Sequence, residues 1–107
     1  MKYKVEWTDE AIRDVEEIAE YIATNGSIEQ AEYVVESVIA KAATLANSAL
    51  LGGFPPELAE SGIKDFRQLH WKPYRIIYLI DKHKVTVLLV ADGRRDMKSL
   101  LARRLLG

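Results

Sequence analysis

Residues 74–91 read YRIIYLIDKHKVTVLLVA, and this stretch decides the fold. It contains two strongly apolar, β-branched runs, Tyr74–Asp81 and Lys84–Ala91, separated only by Lys82-His83. Runs of this length and composition are typical of strands at the centre of a sheet. Two residues between them are enough for a hairpin turn. We therefore predict a pair of central antiparallel strands.

Two further strands complete the predicted sheet. Residues 2–7 (KYKVEW) alternate, with Tyr3, Val5 and Trp7 on one face, which is the period of a half-buried strand. Asp65–Trp71 precedes the central pair and also has the composition of a strand. The sheet is therefore predicted to have four strands and to be mainly antiparallel.

Two amphipathic helices separate the first strand from the others. Thr8 is a suitable N-cap for the first helix, and Asn25-Gly26 ends it because glycine readily takes the left-handed conformation. Residues 27–30 (SIEQ) fit the capping box that starts a second helix, which ends near Asn47. Because the break between them is short, we predict an antiparallel helical hairpin.

The remaining segments are a loop and a last helix. Residues 48–64 carry Gly52-Gly53 and Pro55-Pro56, which predict a loop with room for one helical turn. Asp96–Leu106 has helical spacing. The order β-α-α-β-β-β-α predicts an α+β fold in which the helical hairpin packs on one face of the sheet. The other face, or the C-terminal end of the sheet, remains available for a partner.

The composition restricts the chemistry of the protein. With 107 residues the chain suits one domain, residues 1–107. It has no cysteine, which excludes a disulfide framework and a thiolate nucleophile. Two histidines, His70 and His83, argue against a histidine metal site. Glycine motifs that cradle phosphates are absent, so we predict no metal and no cofactor.

The sequence gives no sign of a membrane protein. No apolar run approaches about 18 residues, the length that a spanning helix needs. Residues 1–8 are charged and alternating, unlike a signal peptide. We therefore predict a cytoplasmic protein with no membrane partner.

The small net charge of −1 hides a strong asymmetry. Residues 9–36 contain nine acids and one base, a balance of −8, whereas residues 64–107 contain eleven bases and four acids, a balance of +7. Two explanations are open. The two halves attract each other and solvate opposite faces, or the C-terminal half presents a basic surface to an acidic partner.

The stretch from Phe66 to Met97, "FRQL…KPYRIIYLID…VTVLLVADGRRDM", resembles the signature of the RelE/ParE family of bacterial toxins. The N-terminal "VEWTDEAIRDVEEIAEYIA" resembles the same family. The resemblance implies a toxin of a type II toxin-antitoxin module, which stabilises a plasmid or chromosome and inhibits growth. It also implies a hetero-oligomer with a cognate antitoxin, whose flexible segment wraps the toxin. Operator DNA is contacted only indirectly, through the antitoxin.

The family has two branches, and they imply different chemistry. RelE-like toxins are endoribonucleases that cleave mRNA on the ribosome, which requires acid-base groups and cations around the phosphate. In this sequence that set would be Arg75, Arg94, Arg95 and His70. ParE-like toxins inhibit DNA gyrase and have no recognised catalytic site.

The nuclease pattern is met only in part. Phe66 and Gln68 occupy the positions where the resemblance implies a pair of lysines, and Arg67 between them points to the opposite face of an alternating strand. No Tyr or His follows His83 to act as the acid. The sequence pI of 6.1 is also low for a protein that binds ribosomal phosphates. We therefore favour gyrase as the target; a domain that only pairs with an antitoxin remains a third possibility.

Candidate contact residues lie in two groups. Those for the target are Arg67, Trp71, Lys72, Tyr74, Arg75, Arg94 and Arg95. Those for an antitoxin groove are Met97, Leu100, Leu101 and Leu105 on the last helix, which are equally suited to the core. Each candidate also has a structural interpretation. Arg75 would form an ion pair with Asp92 or Asp96, Trp71 would pack on the sheet, and the Arg94-Arg95 turn would be solvated.

Overall fold

The computed structural model describes residues 2–107 and contains a four-stranded sheet in the order β1-β4-β3-β2. The strands are β1 (Lys4–Trp7), β2 (Phe66–Trp71), β3 (Tyr74–Asp81) and β4 (Lys84–Asp92). β1 runs parallel to β4, and the other neighbours are antiparallel. The four predicted strands are confirmed, and so is the central position of β3 and β4.

The β3–β4 hairpin turns at Lys82-His83, as predicted, and contains one irregularity further along. Ile77 pairs with Leu89, but Tyr78 pairs with Val87, so Leu88 is an extra residue in β4. An inserted residue changes the face to which the following side chains point. β4 consequently supplies Val87 to the core on one side of the sheet and Leu89 to the core on the other.

The helical hairpin is formed by α1 (Asp9–Asn25) and α2 (Ile28–Ala43). The Thr8 side chain accepts a hydrogen bond from the Ala11 amide at 3.0 Å, and Ser27 accepts one from the Gln30 amide at 3.0 Å. Both predicted N-caps are therefore confirmed. Our reason for the end of α1 was wrong, because Gly26 has φ −140° and is not left-handed. The Gln30 side chain instead occupies the space that a Cβ at Gly26 would need.

Each face of the sheet carries a hydrophobic core. The hairpin packs on one face, with buried side chains at Ala11, Val38, Ala42, Leu45, Ala49, Ile76, Tyr78, Val85, Val87 and Val90. The other face packs against two short helices, α4 (Pro56–Ala59) and α5 (Met97–Leu101), with buried side chains at Leu58, Ile77, Leu89, Ala91, Met97, Leu100 and Leu101. The expectation that this second face stays open was therefore wrong, and the end of the sheet is what remains accessible.

The segment 48–64 is more ordered than the predicted loop. After α2 the chain forms α3 (Leu45–Ser48) and a 3-10 turn (Ala49–Leu51), and α4 begins at Pro56. Gly53 also forms an isolated antiparallel bridge to Gln68 of β2. This segment thus covers part of the outer edge of β2. The last predicted helix is confirmed as α5, which continues into a π-helical turn (Ala102–Leu106).

The continuous helical run Ile28–Leu51 is long and apolar enough, by length and composition alone, to cross a membrane. In the fold its apolar stripe packs on the sheet through Val38, Ala42 and Leu45, which are all buried. A core helix passes the same test of length and composition as a membrane span. These contacts show that one side of the run packs on the sheet.

Candidate functional site at the end of the sheet

Two turns meet at one end of the sheet. The amide of Gly93, in the turn after β4, donates to the carbonyl of Pro73, in the turn between β2 and β3, at 2.8 Å. This contact joins the two segments that carry most of the predicted target-binding residues. Five of the seven therefore converge here, namely Trp71, Lys72, Tyr74, Arg94 and Arg95.

A cleft of about 420 Å³ opens beside these turns, between α1 and the end of β4. We call it the sheet-end cleft, and its rim includes Tyr21, Tyr74, Asp92, Arg94 and Arg95. Burial, followed by the charge of Asp92, raises the pKa of the Tyr74 hydroxyl, so this phenol is neutral at physiological pH. Aromatic and arginine side chains together are the usual anchors of protein interfaces.

The two arginines of the cleft differ in whether their side chains already have a hydrogen-bond partner. Arg94 donates twice to Asp92, from Nε at 2.9 Å and from a terminal nitrogen at 2.6 Å, and these bonds lower the pKa of the Asp92 carboxyl. The side chain of Arg95 is exposed and makes no hydrogen bond to any residue from 2 to 107. Arg95 is therefore the cation of this cleft that can pair with a partner without breaking an existing contact.

The side chain of Arg75 makes structural contacts within the fold. Its side chain is 9% exposed and donates to both carboxylate oxygens of Glu57 at 2.8 Å, while its Nε donates to Gln68 at 2.8 Å. The hydrogen bonds from Arg75 hold the pKa of the Glu57 carboxyl below its ordinary value. The expected partners, Asp92 or Asp96, were wrong. α4 delivers Glu57 to this face of the sheet; one helical turn was expected within residues 48–64, but the sequence did not give its position.

Arg67 also holds the chain together. It lies across the ladder from Tyr78, on the face opposite to Phe66, as predicted. Its guanidinium donates to the carbonyls of Leu50 at 3.2 Å and Gly52 at 2.8 Å, and it lies over the Phe54 ring at 4.7 Å. Arg67 is therefore engaged with the segment after α3 and lies apart from the convergent turns.

The residues of a nuclease site are brought together only in part. His70 is exposed and lies directly across the ladder from Arg75. However, a carboxylate and an amide fill the space around the Arg75 guanidinium, which leaves little of it for a phosphate. Among residues 2–107, no group of His, Asp or Glu side chains is arranged to hold a metal ion.

Most of the predicted antitoxin-groove residues are in the core. Met97, Leu100 and Leu101 are buried against the sheet, and Leu105 is half-buried beside them. Burial of each such side chain stabilises the fold by about 1.5–3 kcal/mol. Contact between these residues and an antitoxin remains a prediction. Such contact requires α5 to detach from the sheet.

The sequence did not predict the ion pair between Arg104 and Asp14 that fixes the C-terminus, and we call this pair the clamp. Arg104 donates to both carboxylate oxygens of Asp14 at 2.9 and 3.0 Å and to the Leu88 carbonyl at 3.1 Å. Asp14 in turn accepts from the Val90 amide at 3.0 Å. The clamp therefore provides hydrogen-bond partners for the Leu88 carbonyl and the Val90 amide. The irregularity in β4 leaves these two backbone groups beyond the end of β1. No local pattern distinguishes Asp14 from the other acids of α1, so the sequence carried no signal for it.

The solved structures that are similar to this chain include the following three. A chain of the chromosomal ParDE TA system from P. aeruginosa is 18% identical, with a TM-score of 0.72 over 85% of this chain and 96% of that chain. A chain of the toxin-antitoxin complex RelBE2 from Mycobacterium tuberculosis is 20% identical, with a TM-score of 0.62 over 86% and 99%. A doubly arginine-substituted mutant of the E. coli toxin RelE in the free state is 17% identical, with a TM-score of 0.65 over 98% and 99%. At these identities the likeness shows the fold.

The fold is thus that of the RelE/ParE toxins. The model of the family described as the ParE toxin of type II toxin-antitoxin systems matches residues 5–97, and the chain belongs to this family. The match runs from β1 to the first residue of α5 and includes both turns of the sheet-end cleft. A search of the curated proteins found no match.

Proposed function

We propose that this toxin arrests growth by binding DNA gyrase and blocking its cycle, and that a cognate antitoxin neutralises it in the cytoplasm. The family match over residues 5–97 carries the proposal. The environment of Arg75 supports it, because a guanidinium already bonded to a carboxylate is poorly placed to stabilise charge on a scissile phosphate. Gyrase poisoning needs a binding surface and no reacting groups. In its natural setting such a module stabilises a plasmid or chromosome.

The sheet-end cleft is the surface that we assign to the target. Tyr74 supplies apolar area in the cleft and Arg95 an exposed cation, and Lys72 in the adjoining turn is a second exposed cation. Trp71 packs against the hairpin core and edge-on to Tyr33. An aromatic surface with neighbouring cations binds strongly because apolar burial and charge pairing act at one place. The target should therefore present acidic groups around an apolar patch.

The test is inhibition of supercoiling by purified gyrase, with translation of a reporter mRNA measured in parallel. We expect the toxin to inhibit supercoiling and to leave the mRNA intact. Arg95→Ala should weaken inhibition about tenfold, the usual effect of losing an interface anchor. Lys84→Ala, which removes a cation at the opposite end of β4, should have no effect. Unchanged supercoiling at high toxin excess, or mRNA cut during translation, would refute the proposal.

A further inference from the structure

Three side chains of the sheet-end cleft carry hydrogen-bond donors that have no partner among residues 2–107. They are the hydroxyl groups of Tyr21 and Tyr74 and the guanidinium of Arg95. α1 supplies the first, β3 the second and the turn after β4 the third. Because three separate elements bring these groups to one concave surface, the cleft offers donors from several directions to an acceptor from outside the fold.

The two phenol hydroxyls lie near each other. Burial and the charge of Asp92 raise the pKa of the Tyr74 hydroxyl, and the neighbouring Tyr21 adds to this rise. The charge of Arg95 also reaches the rim, because it contributes, after Arg94, to the lowered pKa of the Asp92 carboxyl. The three donors are therefore close enough to one another to act on a single bound group.

Tyr21 is the most accessible aromatic residue of the cleft. It is 70% exposed, although the fold offers apolar surface beside it. Tyr33, on α2, is 64% exposed, but its ring packs edge-on to Trp71 with the centroids 5.7 Å apart. An exposed tyrosine on the rim of a cleft combines a ring that can cover apolar surface with a hydroxyl that can bond. Such residues are common anchors of interfaces.

The cleft combines these donors with an apolar wall. The wall is formed by two isoleucines of α1 and the end of β4, namely Ile18, Ile22, Val90 and Ala91. A volume of about 420 Å³ is at the small end of ligand sites and has room for about two side chains of a peptide. The occupant should therefore carry an apolar group next to its hydrogen-bond acceptor.

The charges of the lining favour one anionic group over a chain of them. Apart from Arg95, the charged residues of the cleft are an arginine and three carboxylates, which are Arg94, Asp14, Glu17 and Asp92. Arg94 is paired with Asp92, and Asp14 with Arg104, so Glu17 and Arg95 are the two without an ion pair among residues 2–107. A nucleic acid would bring successive phosphates against Glu17 and the acidic α1. A single carboxylate can reach Arg95 and the two phenols without that repulsion.

We propose that the sheet-end cleft binds one Asp or Glu side chain of the target together with an adjoining large apolar side chain, and that Tyr21 is a specificity-determining contact. The carboxylate accepts hydrogen bonds from Tyr21, Tyr74 and Arg95, and the apolar group covers the isoleucines of α1. This inference rests on the proposed binding of gyrase. It adds to that proposal the chemical group that is bound and a contact residue on α1.

Binding of short peptides with blocked termini to the purified full-length toxin tests the chemistry of the cleft. The first peptide has Glu-Phe at its centre, the second Gln-Phe and the third Glu-Ala. We expect the Glu-Phe peptide to bind and the other two to bind about tenfold more weakly, because each lacks one of the two groups. Equal binding of the Gln-Phe peptide, or no binding of the Glu-Phe peptide up to about 10 mM, would overturn the proposal.

A DNA duplex of about 20 base pairs tests the alternative of a polyanion in the same cleft. We expect it to leave the bound Glu-Phe peptide in place at low salt, because the acidic lining repels successive phosphates. Displacement of the peptide by the duplex would overturn the proposal in favour of a nucleic-acid site.

Three variants that each lose one hydroxyl locate the binding site. Tyr21→Phe and Tyr74→Phe should each weaken binding of the Glu-Phe peptide about five- to tenfold, because a hydrogen bond to a charged group is lost. Tyr33→Phe is the matched control, a tyrosine of similar exposure outside the cleft, and should change the affinity less than about twofold. None of the three hydroxyls has a partner among residues 2–107, so all three variants should keep the native melting temperature. Equal affinity of Tyr21→Phe and Tyr33→Phe would overturn the role of Tyr21.

The supercoiling assay distinguishes a failure of this inference from a failure of the proposed function. Tyr21→Phe should weaken the inhibition of gyrase about five- to tenfold, and Tyr33→Phe should inhibit like the native toxin. Full inhibition by Tyr21→Phe, with weakened inhibition by Arg95→Ala, would overturn the inference and leave gyrase as the target. If the native toxin does not inhibit gyrase, the proposed function is refuted, and the peptide measurements still decide what the cleft binds.

Discussion

Removal of the Glu57 carboxylate isolates a buried guanidinium, and we expect Glu57→Ala to be among the most destabilising single changes outside the hydrophobic cores. Arg75 sits on the central strand β3, is 7% exposed, and uses both of its terminal nitrogens on Glu57 at 2.8 Å. Without Glu57 the charge of Arg75 would keep only the bond from Nε to Gln68. A buried charge without its counter-charge is strongly unfavourable.

The magnitude follows from the geometry of the pair. Loss of one partner of a fully buried ion pair costs about 3–5 kcal/mol. Glu57 is on a surface helix, and its side chain is 23% exposed, so water can replace part of what is lost. We therefore expect the free energy of unfolding to fall by about 2–3 kcal/mol. For a domain of this size the melting temperature should fall by about 8–12 °C.

Urea unfolding of three variants tests this reasoning. Glu60→Ala changes an exposed acid just after α4 and should alter the free energy of unfolding by less than about 0.5 kcal/mol. The double change Arg75→Met/Glu57→Leu removes both charges and should recover most of the stability, to within about 1 kcal/mol of the native protein. If Glu57→Ala is as stable as Glu60→Ala, the ion pair does not fix α4.

The pH dependence gives a second measurement of the same pair. Arg75 holds the pKa of Glu57 below its ordinary value of 4.5, so the stabilisation is complete above that pH and is lost as the pH falls through the depressed pKa. The difference in unfolding free energy between the native protein and Glu57→Gln should be constant from about pH 7 to 5 and should shrink toward about pH 3. A constant difference down to that pH would contradict the assignment of the charge pair.

The double variant also separates a structural role of Arg75 from a functional one. If Arg75 acts only through Glu57, toxin with Arg75→Met/Glu57→Leu should still arrest growth, because the replacement keeps α4 on the sheet. Loss of growth arrest at native stability would show that the Arg75 charge contacts the target. That result would restore Arg75 to the set of phosphate-binding residues that a ribonuclease requires.

Three further changes should be destabilising by separate mechanisms. Gly52→Ala places a Cβ against the Tyr78 hydroxyl and 2.8 Å from a backbone carbonyl, so it should cost about 1–3 kcal/mol in urea unfolding, whereas Gly53→Ala meets no atom within 4 Å and should cost less than about 0.5 kcal/mol. Tyr78→Phe leaves a buried carbonyl without its donor and should cost about 1–2 kcal/mol, and an unchanged unfolding midpoint would contradict the 2.7 Å bond. Asp14→Asn removes the charge opposite Arg104 and should speed amide hydrogen exchange in residues 97–106 by about tenfold or more; protection equal to that of the native protein would exclude the clamp.

Local rules were sufficient to predict the sheet and the hairpin. Alternation, strand composition and the two capping residues, Thr8 and Ser27, act within a few positions of the chain, and the structure confirms what they predict. The segment 48–64 was harder because its order depends on distant side chains. Arg67 binds carbonyls 15 and 17 residues away, and Arg75 binds an acid 18 residues away. No short-range pattern predicts such bonds, and glycine and proline alone indicate a loop.

The same limit explains which candidate site residues lie together at one end of the sheet. The turn between β2 and β3 is flanked by Trp71 and Tyr74 and contains Lys72, and the turn after β4 contains Arg94 and Arg95. A hairpin topology alone brings these two turns near one end of the sheet. Arg67 and Arg75 were candidate site residues because they are cations on strands. Their roles depend on neighbours that only the tertiary structure supplies.

The pairing of charges inside the fold leaves few cations free to bind a partner. Arg67, Arg75 and Arg104 are committed to internal contacts, so the exposed cations beside the sheet-end cleft, above all Arg95, stand out from the basic half of the chain. An acidic target surface would therefore be directed to the end of the sheet. Loss of Arg95 should then weaken the attack on the target.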